Sequence, residues 1–417
     1  GTARNKRDEI ALRQDVPVLM KFALVSLGLP PSQSGQSIVL YHLLKDSKPD
    51  QYCLITQKNF YLYGIQGNSS STLPGRYYYI KPDHQVLRVM LSVASSAHSI
   101  GILNTLLRLR IRQLERIIHQ EGCDAVIACT GDLFDPPAAY QVSRTLGIPY
   151  ILYAFDHYAY QWFSPFLRAF AQKHEKQIVP GAAEVIVPNE FLCQEYRQAY
   201  GIEATTLHNP CDLSRYQEAP DNSIIDRDGE ITILYTGGVY EAHYDAFKNL
   251  VSALNYLNRP EIHLHIYTPQ SESKLRANGI SGDSVTYHKN QPIFAMPAIQ
   301  QKADILFLPL AFNSPYPEVV KSASPGKIGE LLAARRPVLV HAPADSFVSW
   351  YFKRYSCGFV VDKNDPVELA KGIETLVDDQ TLRKNLSNAA YARAAKDFDG
   401  EVIKKKFFDT LKSRCIR

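Results

Sequence analysis

The sequence predicts an α/β protein built as two doubly wound domains that face each other across a cleft. Three observations carry this. The chain has 417 residues, more than one hydrophobic core ordinarily organises, so two domains of about 200 residues are expected. Short apolar runs alternate with helix-patterned stretches, the rhythm of parallel strands covered by helices on both faces. A polar stretch, "SRYQEAPDNSIIDRDGE", breaks that alternation, which then restarts. The expected organisation is a first domain at 18–213, a linker at 214–230, a second domain at 231–395 and a closing helix at 396–417.

The elements follow in order. "VLMKFALVSLGL" is an apolar strand, "PPSQSGQS" a polar glycine loop and "IVLYHLLKD" a helix. "QYCLITQ" is a second strand. Residues 61–100 read as irregular and tyrosine-rich, with "GNSSSTLPG" as a loop. "GILNTLLRLRIRQLERIIHQEG" has apolar residues at helical spacing with arginines between them. "CDAVIACTG" is a strand, and "PPAAYQVSRTLG" a helix with Pro near its start and Gly past its end. "IPYILYAFD", "AEVIVPN" and "ATTLHNP" are further strands, and "EFLCQEYRQAYG" is a helix between the last two. After the polar stretch, "ITILYTGG", "IHLHIYTP", "SVTYHKN", "DILFLPL", "RPVLVHAP" and "CGFVVD" are strands. "YDAFKNLVSALNYL", "PAIQQKA", "PGKIGELLAA", "PVELAKGIETLVDD" and "QTLRKNLSNAAYARAAKDF" are helices, and "GEVIKKKFFDTLKS" closes the chain.

Composition narrows the function. Hydrophobic residues make up 45% and charged residues 21%, as in a globular protein of aqueous surroundings. The net charge of +4 falls well short of a nucleic-acid-binding signature but suits an anionic small ligand or an anionic membrane face. Seven scattered cysteines form no C-x-x-C pair and are odd in number, which argues against a disulfide framework or a zinc site and for reduced thiols in a cytoplasmic protein. No apolar run reaches the length of about 18 residues that a membrane-spanning helix needs. The polar opening "GTARNKRDEIALRQDVP" lacks the apolar centre of a signal peptide, and Gly1 in place of Met reads as a trimmed start.

One segment carries chemistry. In "SASPGKIGELLAARRPVLV" a Pro/Gly loop enters a helix after an apolar strand, with Lys327 at the entrance and Glu330 one turn on. Ligands of doubly wound sheets sit beyond the carboxyl ends of the strands, where loop N–H groups and helix N-termini favour phosphate. Lys327 would add a full charge to that field. Glu330 could accept hydrogen bonds from a ribose diol. Lysine for phosphate and glutamate for ribose describe a nucleoside diphosphate site. A solvated Lys/Glu pair is the plain alternative.

The same segment resembles the donor-nucleotide motif S/T-x-K-x-x-E-x-L/M-A-x-G-x-P-V of GT-B glycosyltransferases, particularly the family 4-like group. "FALVSLGLPPSQSGQSIVLYHLLKD" resembles their opening strand and glycine loop, with Gly35 at the family glycine. The run ending in Asn209-Pro210-Cys211-Asp212 resembles their N-G-V-D run, and "ITILYTGGVYEAHYDAF" their donor-domain strand with Gly237 and Gly238 in its loop. "DFDGEVIKKKFFDTL" is similar to the closing helix, which in that fold crosses back to the first domain. The resemblance covers about residues 20–415. It implies GT-B architecture, two Rossmann-like domains, and sugar transfer from a nucleoside-diphosphate sugar to a hydroxyl in polysaccharide, glycolipid or glycoconjugate synthesis. It favours a UDP-sugar over a GDP-sugar and implies no metal. Donor-binding residues would be Gly35, Gly237, Gly238, His243, Ser324, Pro325, Gly326, Lys327 and Glu330.

This chain departs from the family pattern. Ser322 stands where retaining members carry the first glutamate of E-x7-E, and His243 is the sole candidate cation after the Gly-Gly strand. The stereochemical course is thus open. An inverting reaction needs a base beside the acceptor hydroxyl. Asp132 and Asp135 in "TGDLFDPP" and Asp156 in "AFDHY" are candidates, with a helix N-cap the plain alternative for Asp135, and His157 resembles the family histidine near the donor sugar. A sugar or lipid-linked acceptor is expected. "QWFSPFLRAF" and "LLRLRIRQLERIIHQ" could rest on an anionic bilayer at the inner membrane face, or simply pack on the sheet. A sugar-nucleotide 2-epimerase of the same architecture and a non-catalytic nucleotide-sugar-binding subunit are the competing readings. A dinucleotide oxidoreductase would want G-x-G-x-x-G, which "SLGLPPSQSGQS" lacks.

Overall fold

The computed structural model describes residues 20–32, 34–58, 72–216 and 229–415. Most of the loop expected at 67–75 and of the linker expected at 214–230 lies outside the described residues.

The first sheet is built from β1 (Phe22–Val25), β2 (Tyr52–Gln57), β3 (Arg76–Ile80), β4 (Ala125–Cys129), β5 (Tyr150–Tyr153), β6 (Glu184–Val187) and β7 (Thr205–Thr206). Its strands run parallel in the order β3-β2-β1-β4-β5-β6-β7. The helices that return the chain are α1 (Gly35–Leu44), α2 (His84–Ser96), α3 (Ile100–Glu121), α4 (Asp135–Leu146), α5 (Pro165–Ile178) and α6 (Glu190–Tyr200). Successive strand residues feed opposite faces. Ala23 and Val25 join one buried cluster, whereas Phe22 and Leu24 join the other.

The second sheet is built from β8 (Ile231–Thr236), β9 (Ile262–Thr268), β10 (Val285–Lys289), β11 (Ile305–Pro309), β12 (Val338–His341) and β13 (Phe359–Val361), parallel in the order β10-β9-β8-β11-β12-β13. Around it lie α7 (Tyr244–Leu257), α8 (Glu272–Ala277), α9 (Met296–Lys302), α10 (Pro317–Ser322), α11 (Ile328–Ala333), α12 (Phe347–Arg354), α13 (Pro366–Asp378) and α14 (Gln380–Arg393). A π turn at Ala394–Phe398 leads into α15 (Gly400–Cys415). This last helix crosses to the first sheet, where Ile403, Phe407 and Leu411 are buried with Leu24 and Ile127.

Two readings of the sequence change. The stretch 61–100 contains an edge strand, β3, and a four-turn helix, α2. Apolar residues point to both sides of α2, inward at Leu87 and outward at Val89 and Val93, so the polar rhythm that betrays a surface helix is missing. Leu213–Tyr216, at the start of the expected linker, forms a 3-10 turn, and Tyr216 is buried in the second domain beside Leu331. Among the described residues, no helix is long and apolar enough to cross a membrane. All seven cysteines are free thiols.

Candidate functional site

All strands being parallel, the carboxyl edges of the two sheets end in loops that meet. An ideal Cβ on Gly326 would stand 3.7 Å from the Gly35 Cα, so the loop before α11 faces the start of α1 backbone to backbone. Ser34 begins α1, its side chain accepting from the Ser37 N–H at 3.3 Å. Two asparagines of the first domain hold the opposite loop. Asn189 caps α6 through the Leu192 N–H at 2.9 Å, and its Nδ2 donates to the Ser322 carbonyl at 2.7 Å. Asn209 Nδ2 donates to the Ser324 carbonyl at 2.9 Å.

Lys327 enters this space just ahead of α11. Its Nζ donates to the Thr236 carbonyl at 3.0 Å and lies 3.6 Å from the centre of the Tyr235 ring. The ammonium therefore sits at the carboxyl end of β8, held by a carbonyl and an aromatic face. Gly237 follows at φ 125°, a conformation that side chains rarely adopt, and a Cβ there would come within 3.3 Å of Nζ. Lys327 keeps some solvent access through the cleft yet is surrounded by protein. That enclosure pulls its ammonium down to about 7, and the Glu330 carboxylate offsets part of the shift.

Glu330 lies one turn along. Burial raises its carboxyl above the usual range, opposed by the Gln300 amide, Arg215 and Lys327. Gln300 is fixed in turn, accepting from the Tyr216 hydroxyl at 2.7 Å and donating to Thr236 Oγ1 at 3.3 Å. Arg215, Tyr216 and Gln300 were not singled out in the sequence: the first two sit in a polar run and the third in a short helix without a motif. Ser324 Oγ is enclosed without a partner, and Gly326 is exposed toward Gly35. The Tyr235 hydroxyl donates to the Gly238 carbonyl at 2.6 Å, and the Val239 N–H donates to Gln270 Oε1 at 2.8 Å, fixing the glycine loop.

His243 does not supply the second cation expected of it. It is 5% exposed, and burial together with Lys327 pushes its imidazole down to about 3, so it is neutral. Asp132 is likewise not a free base. Its Oδ1 accepts from Arg110 at 3.2 Å, from the Phe134 N–H at 2.8 Å and from the Asp135 N–H at 3.0 Å, and its Oδ2 accepts from Gln57 at 2.8 Å. Four acceptances fill a carboxylate. Arg110 also pairs with Asp135, so Asp132 belongs to a buried ion triad that fixes the start of α4.

Asp156 is placed differently. It stands past the end of β5, exposed, and none of the described residues donates a hydrogen bond to its carboxylate. Protein crowds it on most sides without closing it off, and this raises its carboxyl to about 6. Its charge is felt by Tyr240 of the second domain's glycine loop, so it faces that loop across the cleft. His157 turns inward. Its ring nitrogens lie 3.4 Å from Glu175 and 3.7 Å from Glu195, and Glu195 reaches Lys321 of α10 at 3.7 Å.

Comparison with known proteins agrees with the two-sheet fold. Residues 83–215 match the family model described as Glycosyltransferase Family 4, and residues 230–379 match that of Glycosyl transferases group 1. The fold is similar to that of Anabaena HepE solved in complex with UDP and glucose, at 15% identity and TM-score 0.66, covering 94% of this chain and 100% of that one. It is also similar to a sucrose-phosphate synthase from Thermosynechococcus elongatus, at 15% identity and TM-score 0.66, covering 94% and 98%. A glycosyltransferase from Rickettsia africae matches at 12% identity and TM-score 0.66, covering 95% and 99%. No curated protein matches by sequence.

Proposed function

This chain is a nucleotide-sugar glycosyltransferase of the group 1 and family 4 kind on the GT-B fold, and from that premise we propose that it draws its donor from the UDP-sugars and holds the leaving diphosphate on Lys327. The observation that carries the reading is the seat of Lys327, whose one cation is fixed on the Thr236 carbonyl beside a side-chain-free turn at Gly237 and Gly238. A diphosphate laid on that turn meets the ammonium and main-chain N–H groups, and Glu330 one turn away takes the ribose diol. Pyrophosphate neutralisation is assigned to these groups, with no role for a metal. The structure of Anabaena HepE with UDP supports the choice of nucleoside.

The acceptor, a sugar or lipid-linked sugar, enters from the first-domain side. Asp156 takes the proton of its hydroxyl as the new glycosidic bond forms and the diphosphate departs, which makes the reaction inverting. Ser322 in place of a glutamate, buried and bonded to the Glu318 carbonyl at 3.2 Å, fits a site without a second carboxylate at that position. His157, between Glu175 and Glu195, sets the backbone of the Asp156 lip. The free thiols suit a cytoplasmic enzyme at the inner membrane face.

Titration calorimetry with UDP tests the donor site. At pH 8 the free Lys327 is mostly neutral, since its ammonium titrates at about 7. A bound diphosphate favours the charged form, so binding takes up a proton, and affinity falls as pH rises above 7. Heats in buffers of different ionisation enthalpy should show that uptake for UDP and weaker binding for GDP. Lys327→Met should remove the uptake and cost about 2–4 kcal/mol of binding. A Lys327→Met variant that binds UDP as tightly as the parent would place the nucleotide elsewhere.

A further inference from the structure

The outer face of α2 is apolar where an aqueous surface would be polar. Val86, Val89, Met90 and Val93 are spaced i, i+3, i+4 and i+7 and are 52%, 64%, 37% and 53% exposed. An adjoining side of the helix sends Leu87 and Ala94 into the core. Four contiguous side chains on one helix face make a patch rather than scatter. The next helix, α3, buries its apolar side and exposes Arg108, Arg112 and Arg116 along one face, beside Leu109. Those three arginines form no ion pair among the described residues.

The patch has a definite place. His84, at the start of α2, lies close enough to Asp132 at the carboxyl edge of the first sheet to feel its charge. Near the other end, Ser95 is hydrogen-bonded to Ser164. The neighbouring Phe163, 74% exposed, packs against Tyr316 of the second domain, the ring centres 4.6 Å apart and the rings tilted. The apolar stripe thus runs along the first-domain rim of the cleft, on the acceptor side.

We propose that this rim docks on an anionic bilayer. The α2 stripe would lie in the acyl boundary, and Arg108, Arg112 and Arg116 would lie against lipid phosphates. An apolar stripe on one helix and unpaired cations exposed on the next match the two layers of such a surface. A second copy fits less well, because a twofold contact through this face would bring arginines against arginines. The docking face keeps arginines of "LLRLRIRQLERIIHQ" that the sequence suggested, but α2 takes the place of the other stretch. In "QWFSPFLRAF", Phe170 is buried and Trp162 donates to the Tyr158 carbonyl at 2.9 Å, which leaves Phe163 exposed. The inference rests on the membrane-face reading of the enzyme but not on its donor chemistry, since docking is read with no nucleotide present.

Vesicle flotation is the test, comparing phosphatidylcholine vesicles with vesicles containing about one-third phosphatidylglycerol. The chain should float with the anionic vesicles and not with phosphatidylcholine alone, and added sodium chloride should weaken binding. Val89→Asp combined with Val93→Asp should lower the bound fraction roughly tenfold or more, and Arg108→Glu with Arg112→Glu should do the same. The thermal midpoint of both variants, all four positions being exposed, should stay within a few degrees of the parent. Absence of flotation, or variants that float like the parent, would overturn the proposal. So would a concentration-dependent dimer in sedimentation that Val89→Asp dissociates, since a second copy would then cover the face.

Discussion

Two carboxylates that look alike in sequence, Asp132 and Asp156, end in opposite circumstances. Each follows an apolar strand, and neither spacing nor residue type separates them. The difference is made by Arg110, buried in a helix that reads as a surface helix studded with arginines, and by Gln57 at the end of β2. Both partners are remote in sequence, so the consumption of Asp132 was not legible. The neutral state of His243 was hidden for the same reason, because burial depends on how Tyr235 and Tyr240 close around it. Lys327 and Glu330 were legible because one loop and one helical turn place both. A prediction at this scale concerns Asp156. A base works as the carboxylate, and crowding raises this one to about 6. The value of kcat/KM should therefore rise with pH through an acid limb near 6, then fall above about 7 as free Lys327 loses its proton. Asp156→Asn should lower kcat roughly a hundred- to ten-thousand-fold and erase the limb. A variant that keeps the limb would assign the base to another group.

Among elements, α11 is the one whose position matters most, and it has six residues. Gly329 explains how it is held. An ideal Cβ there would stand 2.8 Å from the Cys211 Cβ and 3.0 Å from the Phe398 Cβ, so the helix lies flat on the segment at Cys211 and the π turn. Gly329→Ala should push α11 outward, costing about 1–3 kcal/mol of stability by overpacking and moving Lys327 and Glu330 together. Urea unfolding and UDP affinity would fall in the same variant. A loss of stability with UDP affinity intact would show that the site rides on something else. The sequence marked α11 clearly, since a Pro/Gly entrance and an apolar run define it. It left α2 unmarked because exposed valines erase the polar face, and β3 because a tyrosine-rich edge strand lacks an apolar rhythm. Helices such as α12 went unmarked for the opposite reason, being mostly buried and aromatic.

On the scale of the whole molecule, the alternation of strands and helices was enough to foresee two parallel sheets meeting at a cleft. Of the contacts that couple the halves, the crossing of the closing helix was expected from the family resemblance, whereas those made by main chain and by asparagines were not foreseeable. The Cys211 N–H donates to the Phe398 carbonyl at 2.8 Å, and the Gly400 N–H donates to the Cys211 carbonyl at 2.9 Å, so the two crossings of the chain are laced together. From that lacing α15 runs back across the first sheet, with Phe407 1% exposed and packed against Tyr153. Phe407→Ala should cost about 3–5 kcal/mol. Because the helix belongs to both halves, calorimetry should show one cooperative transition moved down as a unit. A split into two transitions, with the second sheet unaffected, would mean that α15 serves the first sheet alone.

The close approach of Gly35 and Gly326 has a consequence for turnover. Two residues without side chains stand face to face at the mouth, with space between them for little more than an atom's breadth. With the donor seated as proposed, spent nucleotide should leave only when this seam opens, so turnover should be timed by how often the jaws part. Bulk added at position 326 should then act as a doorstop, speeding departure at the expense of grip.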